Sequence, residues 1–223
     1  MKRIWLLYFV LLVVLVSCNS TYTQKKKGFF KIDFPEKQYQ VFDKEGYPYS
    51  FEYPVYATVV KDTTFFEEKA ENPWWINIDI PRFGGRIYIS YKEVDKNNFD
   101  SLVNDGYKMA YKQHTEVATQ IRDSNMITPN GVEGVYFILK GNTATANQFF
   151  LSDSTSHFLR GALYFDAAPN EDSLSIVNDF LREDLKHLIS TLKWKTPGPS
   201  STALRTTVSG PAKIAEIEKA EHK

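Results

Sequence analysis

Three groups of side chains in this sequence have the types and spacing to do chemistry. The first is Ser152-Asp153-Ser154-Thr155-Ser156-His157, which gathers a hydroxyl, a carboxylate and an imidazole in one short segment. Those are the groups of nucleophilic acyl transfer, but a triad works only when they converge in space, with the base in hydrogen-bond reach of the nucleophile. Neighbours in a turn point apart. Between Phe149-Phe150-Leu151 and Phe158-Leu159 the segment is good turn chemistry, and a hairpin turn is the expected structure. The other histidines are too scattered for a metal site. His114 and His187 fall on expected helices, His187 at the edge of an apolar stripe, and His222 lies in a C-terminal tail. G-x-S-x-G, P-loop and H-E-x-x-H motifs are missing, so no catalytic residue, metal or cofactor is expected.

The second group is a single thiol. Cys18 is the one cysteine in 223 residues, and it ends an apolar run, Ile4 to Val16, that follows Lys2 and Arg3. At helical rise the run reaches roughly 20 Å, short of the roughly 30 Å of a bilayer core. It therefore reads as the apolar region of a secretory signal peptide and not as a permanent span. Leu15-Val16-Ser17-Cys18 resembles the lipobox of bacterial lipoproteins. The resemblance implies a diacylglyceryl group on the thiol, cleavage just before Cys18 and acylation of the new amine. Two or three acyl chains give stable anchoring, on the membrane and not across it. A lipidated Cys18 leaves the mature chain no thiol for disulfides or a thiolate metal site. Asn19 follows, where an aspartate would favour inner-membrane retention in some bacteria; the expected location is the outer membrane, facing the periplasm.

The third group is aromatic: Phe29-Phe30, Trp74-Trp75 and Phe149-Phe150. Adjacent residues of a strand point to opposite faces, so one ring of each pair can enter the core while the other stays partly exposed. Exposed aromatics are enriched at protein interfaces, which makes Trp74 and Trp75 the candidate interface residues. An alternative use is a cleft lined by aromatics that binds a small ligand or glycan.

The elements that must position these groups are mostly strands. Tyr49–Tyr53 and, more loosely, Val55–Val60 alternate around Pro54. Trp75-Ile76-Asn77-Ile78-Asp79-Ile80 places three isoleucines on one face, Gly84-Gly85 turns, and Ile87–Tyr91 returns as a hairpin. Val135–Leu139, Gln148–Leu151 and Phe158–Phe165 follow. A helix is expected from about Phe99 to Ala118, capped by Asn97 or Asn98, with Phe99, Val103, Ala110 and Val117 near one face and Gly106 weakening it by about 1 kcal/mol. A stronger helix carries Leu174, Val177, Leu181, Leu185, Leu188 and Leu192 on one stripe, with Asp172 as its cap and Asp179, Arg182, Glu183 and Lys186 facing away. Strands, helix, strands, helix with short connections predict an α+β fold: a largely antiparallel sheet with helices packed on it.

The organisation is then a signal peptide (1–17), a lipidated tether (18–27), one α+β domain (28–195) and a disordered tail (196–223) opened by Thr196-Pro197-Gly198-Pro199. Charge is balanced at 27 basic and 27 acidic residues, so nothing draws the chain to nucleic acid. Lys25-Lys26-Lys27 reads as part of a solvated linker.

The folded segment resembles the GldD family, gliding-motility lipoproteins of the Bacteroidetes. The likeness is carried by Lys27-Gly28-Phe29-Phe30-Lys31-Ile32-Asp33-Phe34-Pro35, Phe51-Glu52-Tyr53-Pro54, Trp75-Ile76-Asn77-Ile78, Ile89-Ser90-Tyr91-Lys92, the stretch Gln148–Phe165, and Pro169–Leu174. It implies a non-enzymatic accessory of the gliding machinery and the type IX secretion system, partnered by the membrane and by other envelope proteins, and it brings no catalytic residues. The element order also looks like the PsbP/Mog1-like sandwich, a likeness of fold that carries no function.

Overall fold

A computed structural model describes residues 31–195, apart from 63, 66–67, 70 and 96–97 and the side chains of 63–70. The expected signal peptide, Cys18, the tether, Phe29-Phe30, Asn97 and the tail from 196 lie outside the described residues. The chain divides into two compact units, Met1–Asp33 and Phe34–Lys223. In the first, Lys31 pairs with Asp33 at 3.4 Å. The elements below belong to the second.

They run β1 (Tyr39–Phe42), β2 (Tyr49–Pro54), β3 (Thr58–Lys61), β4 (Thr64–Phe65), β5 (Glu68–Lys69), β6 (Ile76–Ile80), a 3₁₀ turn (Pro81–Phe83), β7 (Gly85–Glu93), α1 (Phe99–Tyr111), β8 (Ala118–Ile127), β9 (Glu133–Gly141), β10 (Asn147–Ser152), β11 (His157–Phe165), α2 (Glu171–Thr191) and β12 (Lys193–Trp194). A seven-stranded sheet has the order β3-β6-β7-β11-β10-β9-β8, and a three-stranded sheet the order β1-β2-β12. The pairings are antiparallel. This is the expected α+β architecture, an antiparallel sheet with helices packed on it.

Strand pairing follows the side-chain alternation. Ile76, Ile78 and Ile80 are buried together with Ile87 and Ile89, the residues that β7 sets beside them. Gly84 makes the turn between the two strands because its backbone is left-handed, φ 57°. This face of the large sheet meets α2, whose Leu181 fills the space above Gly85, and the small sheet, whose Tyr49 ring lies 5.8 Å from that of Tyr91. The opposite face meets α1. Val103, Tyr107 and Ala110 pack there against Val135, Phe137, Leu139, Phe150 and Phe158. Gly106 belongs to that contact: a Cβ on it would come within 2.9 Å of the Phe150 ring.

Several boundaries differ from the sequence reading. Helix α1 stops at Tyr111, not near Ala118, and Thr115 bonds back to the carbonyls of Tyr111 and Lys112. The β-branched Thr115, Val117 and Thr119 disfavour helix and favour strand, and β8 begins at Ala118. Val117, expected on the apolar face of α1, is 48% exposed. Asn98 precedes α1, but its side chain accepts from the Asp95 amide and makes no helix cap. Helix α2 is capped by Asn170, whose Oδ1 accepts from the Ser173 amide at 3.1 Å. Asp172 instead sits in the first turn, where a negative charge suits the helix dipole. The looser run Val55–Val60 starts as a strand only at Thr58, after a turn closed by the Ala57 amide on the Pro54 carbonyl. Among the described residues no helix is long and apolar enough to cross a membrane.

Candidate functional site

Ser152 closes β10 and His157 opens β11, so the cluster between them is the hairpin turn that the sequence predicts. Asp153 Oδ1 accepts from the amides of Thr155, Ser156 and His157 at 3.0, 2.8 and 2.8 Å, an Asx-type turn. Ser152 Oγ donates to the His157 carbonyl at 2.5 Å and accepts from the Ser154 amide. The imidazole points elsewhere. Its Nδ1 lies 2.6 Å from the Tyr91 hydroxyl, and its ring stacks on Trp194 at 4.8 Å. The three groups meet in sequence but each serves the turn or the core beneath it.

The tryptophans precede β6 and differ in burial. Trp75 is buried and its ring N–H donates to the Tyr91 carbonyl at 2.7 Å. Trp74 is half-buried: its ring N–H donates to the Gly46 carbonyl, its carbonyl accepts from the Tyr49 hydroxyl, and its ring stands edge-on to Tyr91. Only Trp74 of the two leaves surface that a partner could reach. Phe149 and Phe150 are both buried, because this part of the sheet is covered on both faces. His187 sits at the edge of the α2 stripe, stacked on Tyr39 and 2.6 Å from Glu52. His114, expected within a helix, lies in the turn beyond α1 and is buried. Burial lowers its pKa below 6.5. No cluster of three potential metal-ligating side chains occurs among the described residues.

The densest polar contacts are ones that the sequence reading missed. Asp184, 1% exposed on α2, takes Lys37 at 2.7 Å, the Tyr39 hydroxyl at 3.0 Å and the Tyr56 hydroxyl. Lys37 also lies over the Phe180 ring, 3.3 Å from its centre, and Phe180 stacks on Phe34. Burial, and after it the charge and hydrogen bond of Asp184, raise both phenols, while burial lowers Lys37 more than Asp184 can raise it. The signal was present: Asp184 stands three residues after Leu181 and four before Leu188, on the stripe itself. Residues 34–39 are thereby fastened to α2.

A second set lies beside an open cleft of about 320 Å³ at the start of α2, lined by Arg122, Lys140, Glu171, Asn178 and Arg182 among others. Asn147 Oδ1 accepts from the Tyr136 hydroxyl and from Arg182 Nε, both at 2.9 Å, and Asn147 Nδ2 donates to Asn178 at 3.1 Å. Arg182, expected to face away from the core, turns in to this network and pairs with Asp179 at 2.7 Å. Glu171 accepts from the Gly141 amide. These polar groups satisfy one another and hold α2 on the sheet.

A family model described as gliding motility lipoprotein GldD matches residues 19–194. No curated protein matches the chain. Among solved structures it is similar to the solution structure of cyanobacterial PsbP (CyanoP) from Synechocystis sp. PCC 6803. The identity is 11%, the TM-score is 0.40, and the match covers 76% of this chain and 98% of that one.

Proposed function

The chain belongs to the GldD family of gliding motility lipoproteins, and we propose that it serves there as a non-enzymatic accessory of the gliding and type IX secretion machinery. Lipid on Cys18 holds it to the outer membrane on the periplasmic side, and it acts by binding other envelope proteins. The observation that carries this reading is the turn at Ser152–His157. The best candidate for hydrolytic chemistry spends its hydroxyl on a carbonyl, one carboxylate oxygen on three amides and its imidazole Nδ1 on Tyr91. Binding spreads its energy over a surface, in which a partly exposed aromatic such as Trp74 can contribute about 2 kcal/mol or more.

The test is a deletion strain complemented with wild type, with His157→Gln and with Trp74→Ala, compared at equal protein levels. Glutamine keeps a hydrogen-bonding group for Tyr91. Surface spreading or type IX export should fail in the deletion strain, return with wild type and with His157→Gln, and remain weak with Trp74→Ala. Normal spreading and export in the deletion strain would refute the assignment. A stable, abundant and inactive His157→Gln protein would revive the hydrolase reading.

A further inference from the structure

The face of the large sheet that meets α2 is progressively uncovered toward its β8 edge. Register sets Leu163, Asn147, Ile138 and Arg122 in one row across β11, β10, β9 and β8. Leu163 and Asn147 are buried, Ile138 is half-buried and Arg122 is exposed. The cleft of about 320 Å³ opens where this cover runs out. Its sheet wall carries Arg122 on β8 with Ile138 and Lys140 on β9. Its helix wall carries Leu174, Asn178 and Arg182, spaced by four residues along one side of α2. Ligand sites in proteins begin at about 300 Å³, so a small molecule has room here.

The two cations of the sheet wall are uncommitted. Among the described residues neither the Arg122 nor the Lys140 side chain has a hydrogen bond or an ion pair. Lys140 lies opposite Gln120, two residues from Arg122, so the two are diagonal neighbours on one face, about 7 Å apart at Cβ. Long side chains at that spacing can close on one small anion. The helix wall is already engaged: Arg182 bonds Asn147 and pairs with Asp179, and Glu171 accepts from the Gly141 amide. The first turn of α2 adds no free positive end, since Glu171 and Asp172 stand in it and Asn142 and Asn170 accept from its amides. Arg122 and Lys140 against Glu171 leave one net positive charge, which suits a monoanion. A single guanidinium fork matches a planar carboxylate, whereas a tetrahedral phosphate offers its oxygens to an arginine and a lysine arriving from different strands. Ile138, Ala146 and Leu174, each half-buried, add an apolar wall that calls for carbon beside the charge.

We propose that this cleft binds a phosphodiester monoanion. Arg122 and Lys140 hold the phosphate oxygens, and an organic arm of the diester lies against Ile138, Ala146 and Leu174. Phospholipid headgroups and soluble glycerol phosphodiesters both carry such a group. The site does not include Trp74, so it stands or falls independently of the accessory role proposed above.

The experiment follows glycerophosphoglycerol by phosphorus NMR as the full chain, purified in an uncharged, phosphate-free detergent, is titrated in. Saturable binding is expected, with acetate competing poorly at equal ionic strength. Arg122→Gln and Lys140→Gln should each weaken binding about tenfold, the loss of one charge-assisted contact. Both residues are exposed, so these variants should melt with wild type. Lys193→Gln, which removes an exposed cation on β12 outside the cleft, should leave binding unchanged. Glu171→Gln keeps an acceptor for the Gly141 amide and removes a negative charge from the cleft, so it should tighten binding about threefold. Phosphatidylglycerol added to the micelles displaces the probe if a lipid headgroup is the ligand, and leaves it bound if a soluble diester is. The proposal is overturned if the probe shows no saturable binding, if Lys193→Gln weakens it as much as Arg122→Gln does, if acetate competes as well as unlabelled probe, or if Glu171→Gln weakens it.

Discussion

Replacing Asp184 by alanine should cost about 3 kcal/mol, and the structure says where that energy resides. The carboxylate is 1% exposed and accepts from Tyr39, Tyr56 and Lys37. Breaking a buried ion pair by removing one partner costs about 3–5 kcal/mol in a sealed site. Here Lys37 keeps 29% of its side chain exposed, so it can turn to water and its share falls to about 1 kcal/mol or less. The two phenols lose a charged acceptor, about 1.5–3 kcal/mol each, and they share one carboxylate, so the losses do not add in full. Asp184→Asn retains one acceptor oxygen and should cost about 1–2 kcal/mol, and Lys37→Met about 1 kcal/mol or less. In a domain of this size a 3 kcal/mol loss lowers Tm by roughly 6–12 °C. Urea unfolding followed by tryptophan fluorescence measures all three variants. A loss below about 1 kcal/mol for Asp184→Ala, or a Lys37→Met loss as large as that of Asp184→Ala, would refute the reasoning.

The phenols make stability sensitive to alkali. Burial raises Tyr49, Tyr56 and Tyr136 above the ordinary 10.0, so the folded chain keeps protons that the unfolded chain releases; stability is intact below pH 10 and falls as pH rises past it. Absorbance at 295 nm and circular dichroism should change together above pH 10, and full tyrosine ionisation with the native dichroism retained would contradict this. Gly134→Ala should prevent folding or cost more than about 3 kcal/mol, since a Cβ there would sit 2.1 Å from the Phe150 carbonyl oxygen; near-wild-type melting would show that β9 and β10 are spaced otherwise. Cys18→Ala should leave an uncleaved precursor or a protein lost from the membrane fraction, and normal processing with detergent-dependent membrane association would remove the lipid anchor from the account. Truncation after Lys195 should change stability by less than about 1 kcal/mol in thermal unfolding, and a larger loss would mean that the tail is docked.

The parts of the fold legible in the sequence are those where one physical demand dominates. Ile76, Ile78 and Ile80 are buried on one face, so their alternation could be seen, and the leucines of α2 show their stripe for the same reason. Strand β8 lies at the edge of the large sheet and is half solvated. Its residues Arg122, Asp123, Ser124 and Asn125 answer to water as much as to the core, so no period of two emerges and the preceding helix seemed to run on. Strands β1 and β12 are only four and two residues long. Both pair with β2, which for β12 is a partner far away in sequence that a local pattern cannot report.

Polar sites follow the opposite rule, because a buried polar group is defined by partners that the local sequence does not contain. The Ser152–His157 turn was legible since Asp153 satisfies amides two to four residues ahead. Asp184 was not, although it occupies the apolar stripe, because Lys37, Tyr39 and Tyr56 arrive from the other end of the chain. Arg182 was assigned to solvent by its helical position, yet Asn147 reaches it from β10. Asp184 is buried and Arg182 half-buried, and both are tied to distant elements. A charged residue that breaks an apolar stripe at three- or four-residue spacing is therefore worth reading as the near half of a long-range contact. Asp184 and Arg182, two residues apart on α2, tie the helix to residues 34–39 through the first and to β10 through the second.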